Sequence, residues 1–315
     1  MGRRPAAPGS ARCLSNRRST RYGVVVEEEP SPRLEPLLAS RAPATATSAP
    51  VNRIVQRFAD LRARGSKGLV IYIGAGDPDL EATRQLAIAF DRAGVDVLEL
   101  GVPFSDPLAD GIVNQLAAQR GLESGTTPSK VLATVGAIRR GSQVPLVLYI
   151  YYNLLHRVGV AEFIRQAAAA GVDGLLVLDL PPEESDDYET LMAEAGLCPI
   201  YLIAPTTPDE RIALIAPRAR GFIYYVSREG VTGMQSKVST TIGEKTAKIR
   251  AHSPLPIAVG FGISDAAQAR EVAQHAEAIV VGSAVVTRIA ALGRSPDLVP
   301  QVSAFVRGLA EAVRG

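Results

Sequence analysis

Three carboxylates, Glu99, Asp106 and Asp110, crowd into residues 99–111 of one short stretch, VDVLELGVPFSDPLADG at 95–111. VDVLELG alternates small and branched apolar residues as a buried β-strand does, and Glu99 stands near its C-terminal end. A carboxylate in such a strand is costly to bury. The carboxyl ends of parallel strands, with the loops beyond them, are where α/β folds build active sites. Proton transfer is the chemistry such a group can do. Other chemistries lack their residues. The histidines, His156, His252 and His275, do not cluster, and Cys13 and Cys198 are too few for a structural zinc site. No lysine falls in a strand-like segment, so a Schiff-base mechanism lacks its nucleophile. No metal and no cofactor is expected, and carboxylates with Tyr224 remain for moving protons.

A second signal is glycine. GVTG (230–233), GFG (260–262) and GSA (282–284) each follow a strand-like run. Glycines there let backbone N–H groups approach an anion, and a helix N-terminus adds its dipole. A phosphate site is therefore expected, with tight βα turns as the plainer explanation of the same glycines.

Eight apolar runs position these residues: 69–76, 95–101, 145–152, 174–181, 199–205, 221–227, 256–263 and 278–286. Helical patterns fill the gaps, among them 82–94, 161–171 and a last helix over roughly 296–313, and Pro128 after two threonines suits a helix start. Near-continuous apolar strands alternating with helices predict a parallel sheet covered on both faces. Eight such units in ~250 residues predict a closed (β/α)8 TIM barrel. The competing fold, an open doubly wound sheet, needs no eightfold repeat, and GAGDPD at 74–79 lacks the third glycine of a dinucleotide fingerprint.

The chain has 315 residues, 47% hydrophobic and 21% charged, the balance of a globular protein. Residues 1–50 hold 8 Arg and 4 Glu, so they account for the basic charge and the remainder gives no case for nucleic-acid binding. This segment lacks hydrophobic periodicity and is expected to be a disordered extension. Six Arg and no acid in the first 26 residues also fit a transit peptide, against which the EEE at 27–29 argues. A third reading is a misplaced start, with Val51, where the helix VNRIVQRFADLRARG begins, decoded from an alternative start codon. The barrel domain is thus expected over 51–315. Two cysteines and no secretory or membrane-spanning run fit a reducing, cytoplasmic setting.

Taken together, ELGVPFSDPLADG (99–111), YYN (151–153), DLPPEE (179–184), APTT (204–207), SREGVTG (227–233), GFGIS (260–264) and GSAVV (282–286) resemble the tryptophan synthase alpha subunit. The likeness runs from about 51 to 312. It implies a (β/α)8 lyase that cleaves indole-3-glycerol phosphate to indole and glyceraldehyde 3-phosphate. It also implies a beta-subunit partner in an alpha2beta2 tetramer, receiving the indole through a tunnel. By position, Glu99 matches the family's general acid/base and Asp110 its second catalytic carboxylate. Tyr224 matches a substrate-side tyrosine, and Thr232 a loop threonine that contacts Asp110 on closure. Phe261, Tyr149 and Tyr151 match the indole pocket; Gly233, Gly262, Gly282 and Ser283 match phosphate ligands. Loop 228–240 is a candidate lid. Ile112, Asn114, Gly74 and Leu154 depart from the family's pattern, and Ile112, Asn114 and Leu154 fall where it meets its partner.

The resemblance implies that Glu99, kept protonated by desolvation, protonates indole C3 while Asp110 stays ionised and faces the positive charge at N1. Alternatives are a stand-alone lyase releasing free indole, a non-catalytic activator of a beta subunit, and a phosphate-binding barrel that forms prenyl ethers.

Overall fold

The computed structural model describes residues 51–226, 235–260 and 262–315. The expectations for residues 1–50, and those for Thr232, Gly233 and Phe261, lie outside the described residues. Eight strands, β1 (Gly68–Gly74), β2 (Val97–Gly101), β3 (Leu146–Ile150), β4 (Gly174–Val177), β5 (Cys198–Ile203), β6 (Ile223–Val226), β7 (Ile257–Gly260) and β8 (Ala278–Val281), pair in sequence order. All pairs are parallel, and β8 returns to β1, closing a TIM barrel. Helices cover the outside, and the largest apolar cluster fills the layer between them and the strands.

Several strands end earlier than their apolar runs. Ser283–Val286 belong to the helix Ser283–Leu292, and Tyr152 opens the helix Tyr152–Val158. Val285 and Val286 are fully buried, so one apolar run passes from strand into helix with no change in hydrophobicity. Of the expected lid, 228–240, residues 228–234 lie outside the described residues, and a helix begins at Gln235 and runs to Arg250.

Inward-pointing Val70, Val97, Val147, Leu176, Ile200 and Val280 pack with Ile54, Phe58 and Leu61 of the first helix, Arg53–Ala63. That helix is a plug across the end of the barrel where the strands begin. Its Phe58 ring lies 5.5 Å from Phe222. Cys198 opens β5 at this same end, and burial pushes its thiol up to about 12, so it is no nucleophile.

Acidic side chains lock the plugged end. Asp96 accepts from the Leu69 backbone N–H at 2.9 Å, Asp173 from Leu146 at 2.8 Å, and Glu277 from Ile257 at 2.9 Å. Each stands just ahead of an even-numbered strand and caps a donor at the start of the preceding odd one. The plug is tied to two of them by Arg57–Asp96 at 3.1 Å and Arg53–Asp173 at 2.9 Å. Asn52 caps the plug helix through the Ile54 N–H and donates to the carbonyls of Asp173 and Gly196. Asn52→Ala is therefore expected to lose ~1–2 kcal/mol in denaturant unfolding while leaving turnover unchanged.

Candidate active site

Period-2 alternation places Glu99 on the inner face of β2, two residues beyond the buried Val97. Register sets it beside Tyr72 of β1 and Val147 of β3. Glu99 is 0% exposed, and among the described residues neither of its carboxyl oxygens has a hydrogen-bond partner. Desolvation alone raises its pKa to about 8, so at neutral pH the side chain is a carboxylic acid with a proton to give.

Tyr72 separates this acid from the second carboxylate. Its ring packs edge-on to Tyr149 at 5.0 Å, and both Asp110 and Glu99 add to the burial that holds its hydroxyl protonated. Gly101 makes room for it: a Cβ there would stand 2.2 Å from the Tyr72 hydroxyl. Tyr224 of β6 is half-buried near Glu99 and held protonated in the same way, with Gly260 leaving space for its ring.

Asp110 is half-buried at the end of the β2 loop, just before the helix Ile112–Glu123. The Tyr149 hydroxyl donates to its Oδ1 at 2.9 Å and the Tyr151 hydroxyl to its Oδ2 at 2.8 Å. Both oxygens thus act as acceptors, the pattern of an ionised carboxylate. Tyr151 also accepts from the Ala109 N–H at 3.0 Å, and Gln115 donates to the Asp110 carbonyl at 2.9 Å. The third acid of the motif, Asp106, is exposed on the loop surface and is not part of this cluster.

Asp77, in the loop after β1, is buried and receives two hydrogen bonds from Arg120, at 2.8 and 2.7 Å. The bidentate pair ties the β1 loop to the helix that follows Asp110. No motif in the sequence marks this brace or the part played by Tyr72. Period-2 alternation from Val70 was the only available signal for Tyr72, and it says nothing about cross-strand neighbours.

Just after β8, the other neighbour of β1, Gly282 lies against Tyr72 and precedes the helix Ser283–Leu292, whose N-terminus has no side-chain cap. Ser283 is exposed there. Uncapped N–H groups at a helix start are a ready anion site. Gly262 is exposed in the left-handed region at φ 61°. The next helix, Ala266–Ala273, is already capped by Asp265, so an anion near Gly262 would use loop N–H groups and not that helix end. Among the described residues no group of three or more His, Cys, Asp or Glu could hold a metal ion, and no helix is long and apolar enough to cross a membrane.

Of the departures, Leu154 is packed against the main core, while Ile112 is 69% exposed. The Asn114 side-chain oxygen is buried without a partner among the described residues.

A family model described as tryptophan synthase alpha chain matches residues 58–314. The tryptophan synthase alpha chain of Opitutus terrae is 51% identical over 258 residues, covering 82% of this chain and 97% of the relative. That of Geotalea daltonii is 50% identical over 236 residues, covering 75% and 89%. Among solved structures, tryptophan synthase subunit alpha from Legionella pneumophila superposes with a TM-score of 0.77 at 36% identity, covering 84% of this chain and 98% of that one. Tryptophan synthase from M. tuberculosis gives 0.75 at 33%, covering 84% and 99%. With a buried acid at one strand end, a clamped carboxylate on the loop that follows and these matches along the whole barrel, the chain belongs to the tryptophan synthase alpha chain family.

Proposed function

We infer that Glu99 and Asp110 carry the reaction of this family in this chain, which is a lyase of tryptophan biosynthesis that cleaves indole-3-glycerol phosphate to indole and glyceraldehyde 3-phosphate. The observation that carries the assignment is Glu99: fully buried, unpartnered among the described residues, and protonated at neutral pH. As general acid it protonates indole C3, giving an indolenine. The Glu99 carboxylate left behind takes the proton of the side-chain hydroxyl as the carbon–carbon bond breaks. The electron pair returns to the ring, so that indole leaves and the aldehyde of glyceraldehyde 3-phosphate forms. Asp110, accepting from two phenols, faces the positive charge that develops at indole N1. Tyr224, Tyr149 and Tyr151 wall the indole end, and Gly262, Gly282 and Ser283 hold the phosphate, orienting the substrate without taking part in bond breaking. The family resemblance adds Phe261 to the indole wall, Gly233 to the phosphate ligands and Thr232 as the loop partner of Asp110; these three lie outside the described residues.

A beta subunit is the partner, in an alpha2beta2 assembly. Its support here is an apolar rim beside the site: Leu108 is 92% exposed, Ile112 69% and Leu116 48%. The two cysteines, with Cys198 a buried free thiol, support a cytoplasmic location. Mixing the purified chain with indole-3-glycerol phosphate, with and without a matching beta subunit, and following indole release tests the reading. Indole release that the beta subunit accelerates is the expected result. Full turnover unaltered by the partner would instead favour a stand-alone lyase, and no indole in either mixture would overturn the assignment.

A further inference from the structure

We propose that Tyr149 is a positioning residue for Asp110, fixing the loop carboxylate in place before substrate arrives. The proposal rests on Asp110 acting in the reaction as inferred above. The backbone of the loop that bears Asp110 is held by Gln115 at the Asp110 carbonyl and by Tyr151 at Ala109, but neither bond fixes the carboxylate itself. Leu108 at its tip is almost fully exposed, and short-range backbone bonds join Leu108 to Asp106 and Asp110 to Pro107. A carboxylate on such a loop would sample several rotamers, each ordered only at an entropic cost.

Strand β3 removes that freedom. Tyr149 is the fourth of its five residues and Tyr151 follows directly, so the two lie on one face of a rigid element, two residues apart. Their hydroxyls take one carboxylate oxygen each. The two phenols have different jobs. Tyr151 also holds the loop backbone at Ala109, so its removal would free the loop itself. Tyr149 bonds, among the described residues, to the carboxylate. Its ring is held from behind by Tyr72, which is register-paired with Glu99. The position of Asp110 is thereby referred to the same pair of strands that carries the acid. Burial, with the Asp110 charge second, keeps the Tyr149 hydroxyl protonated far above any working pH. It donates a hydrogen bond and transfers no proton.

The test is a double-mutant cycle in the full chain with its beta subunit. Tyr149→Phe keeps the ring and removes the hydroxyl. It is expected to lower kcat ~10-fold or more with KM for indole-3-glycerol phosphate within ~3-fold. The pH at which activity falls on the alkaline side should not move, because that limb belongs to Glu99. In an Asp110→Asn background the same substitution should cost less than ~2-fold. Equal losses in both backgrounds, or a raised KM with kcat intact, would overturn the proposal and leave Tyr149 as a wall of the indole pocket. Undiminished turnover in Asp110→Asn itself would instead sink the role of Asp110. Should Tyr149→Phe fold poorly, Tyr149→Leu runs the same cycle.

Discussion

Glu99→Gln is expected to lose at least ~100-fold in indole formation and, at pH 8, to unfold at a higher temperature than the parent. The two effects have one cause. A glutamine fills the same space but has no acidic proton to deliver to a ring carbon. The parent's activity should itself decline as pH rises through about 8, where the acid form of Glu99 is lost. For stability, the folded chain keeps the Glu99 proton up to about 8, whereas the unfolded chain releases it near its ordinary value of 4.5. Between those limits the folded state binds one more proton, so raising the pH lowers stability by up to ~1.4 kcal/mol per unit. The amide has no such dependence. Melting temperatures of parent and variant should therefore diverge as pH rises from 4.5 to 8 and converge below it. Parallel curves would show that Glu99 is not held protonated in the folded chain.

Asp110→Asn should also lose at least ~100-fold in kcat while still binding a glycerol-phosphate analogue. The substitution removes a charge and replaces one acceptor oxygen with an NH2 donor. One of the two phenols would then meet a donor in place of an acceptor and would have to turn its hydroxyl. Both electrostatic stabilisation and alignment are lost together. The expected phosphate contacts near Gly282 and Ser283 involve neither group, so titration calorimetry with the analogue should give an affinity near the parent's. Weakened analogue binding would mean that Asp110 orders the whole mouth and not the reacting ring alone.

Much of this was legible before any coordinates. Eight apolar runs separated by helical patterns left little choice but a closed barrel, and Glu99 near the C-terminal end of the second run marked the site. The strand limits were harder, because GSAVV and YYN stay apolar as they turn into helices. The family resemblance marks Tyr149 and Tyr151 only as pocket walls. That their hydroxyls meet at Asp110 depends on how the β2 loop folds back over β3, a contact across about forty residues that no local pattern encodes. Tyr72 was silent for a related reason: its value lies in standing opposite Glu99, which register alone decides. Asp96 and Asp173 carry no sequence mark of their role, yet each caps a neighbouring strand and anchors an arginine of the plug.

The plug also dictates how the molecule can be handled. Because Asn52 is stitched to the backbone at Asp173 and Gly196, where β4 and β5 begin, Val51 leaves the barrel on the side away from both carboxylates. An affinity handle or surface tether spliced in front of Val51 would orient the chain with its open rim toward solution. Immobilised that way, it would present Leu108, Ile112 and Leu116 unobstructed to anything meant to dock there.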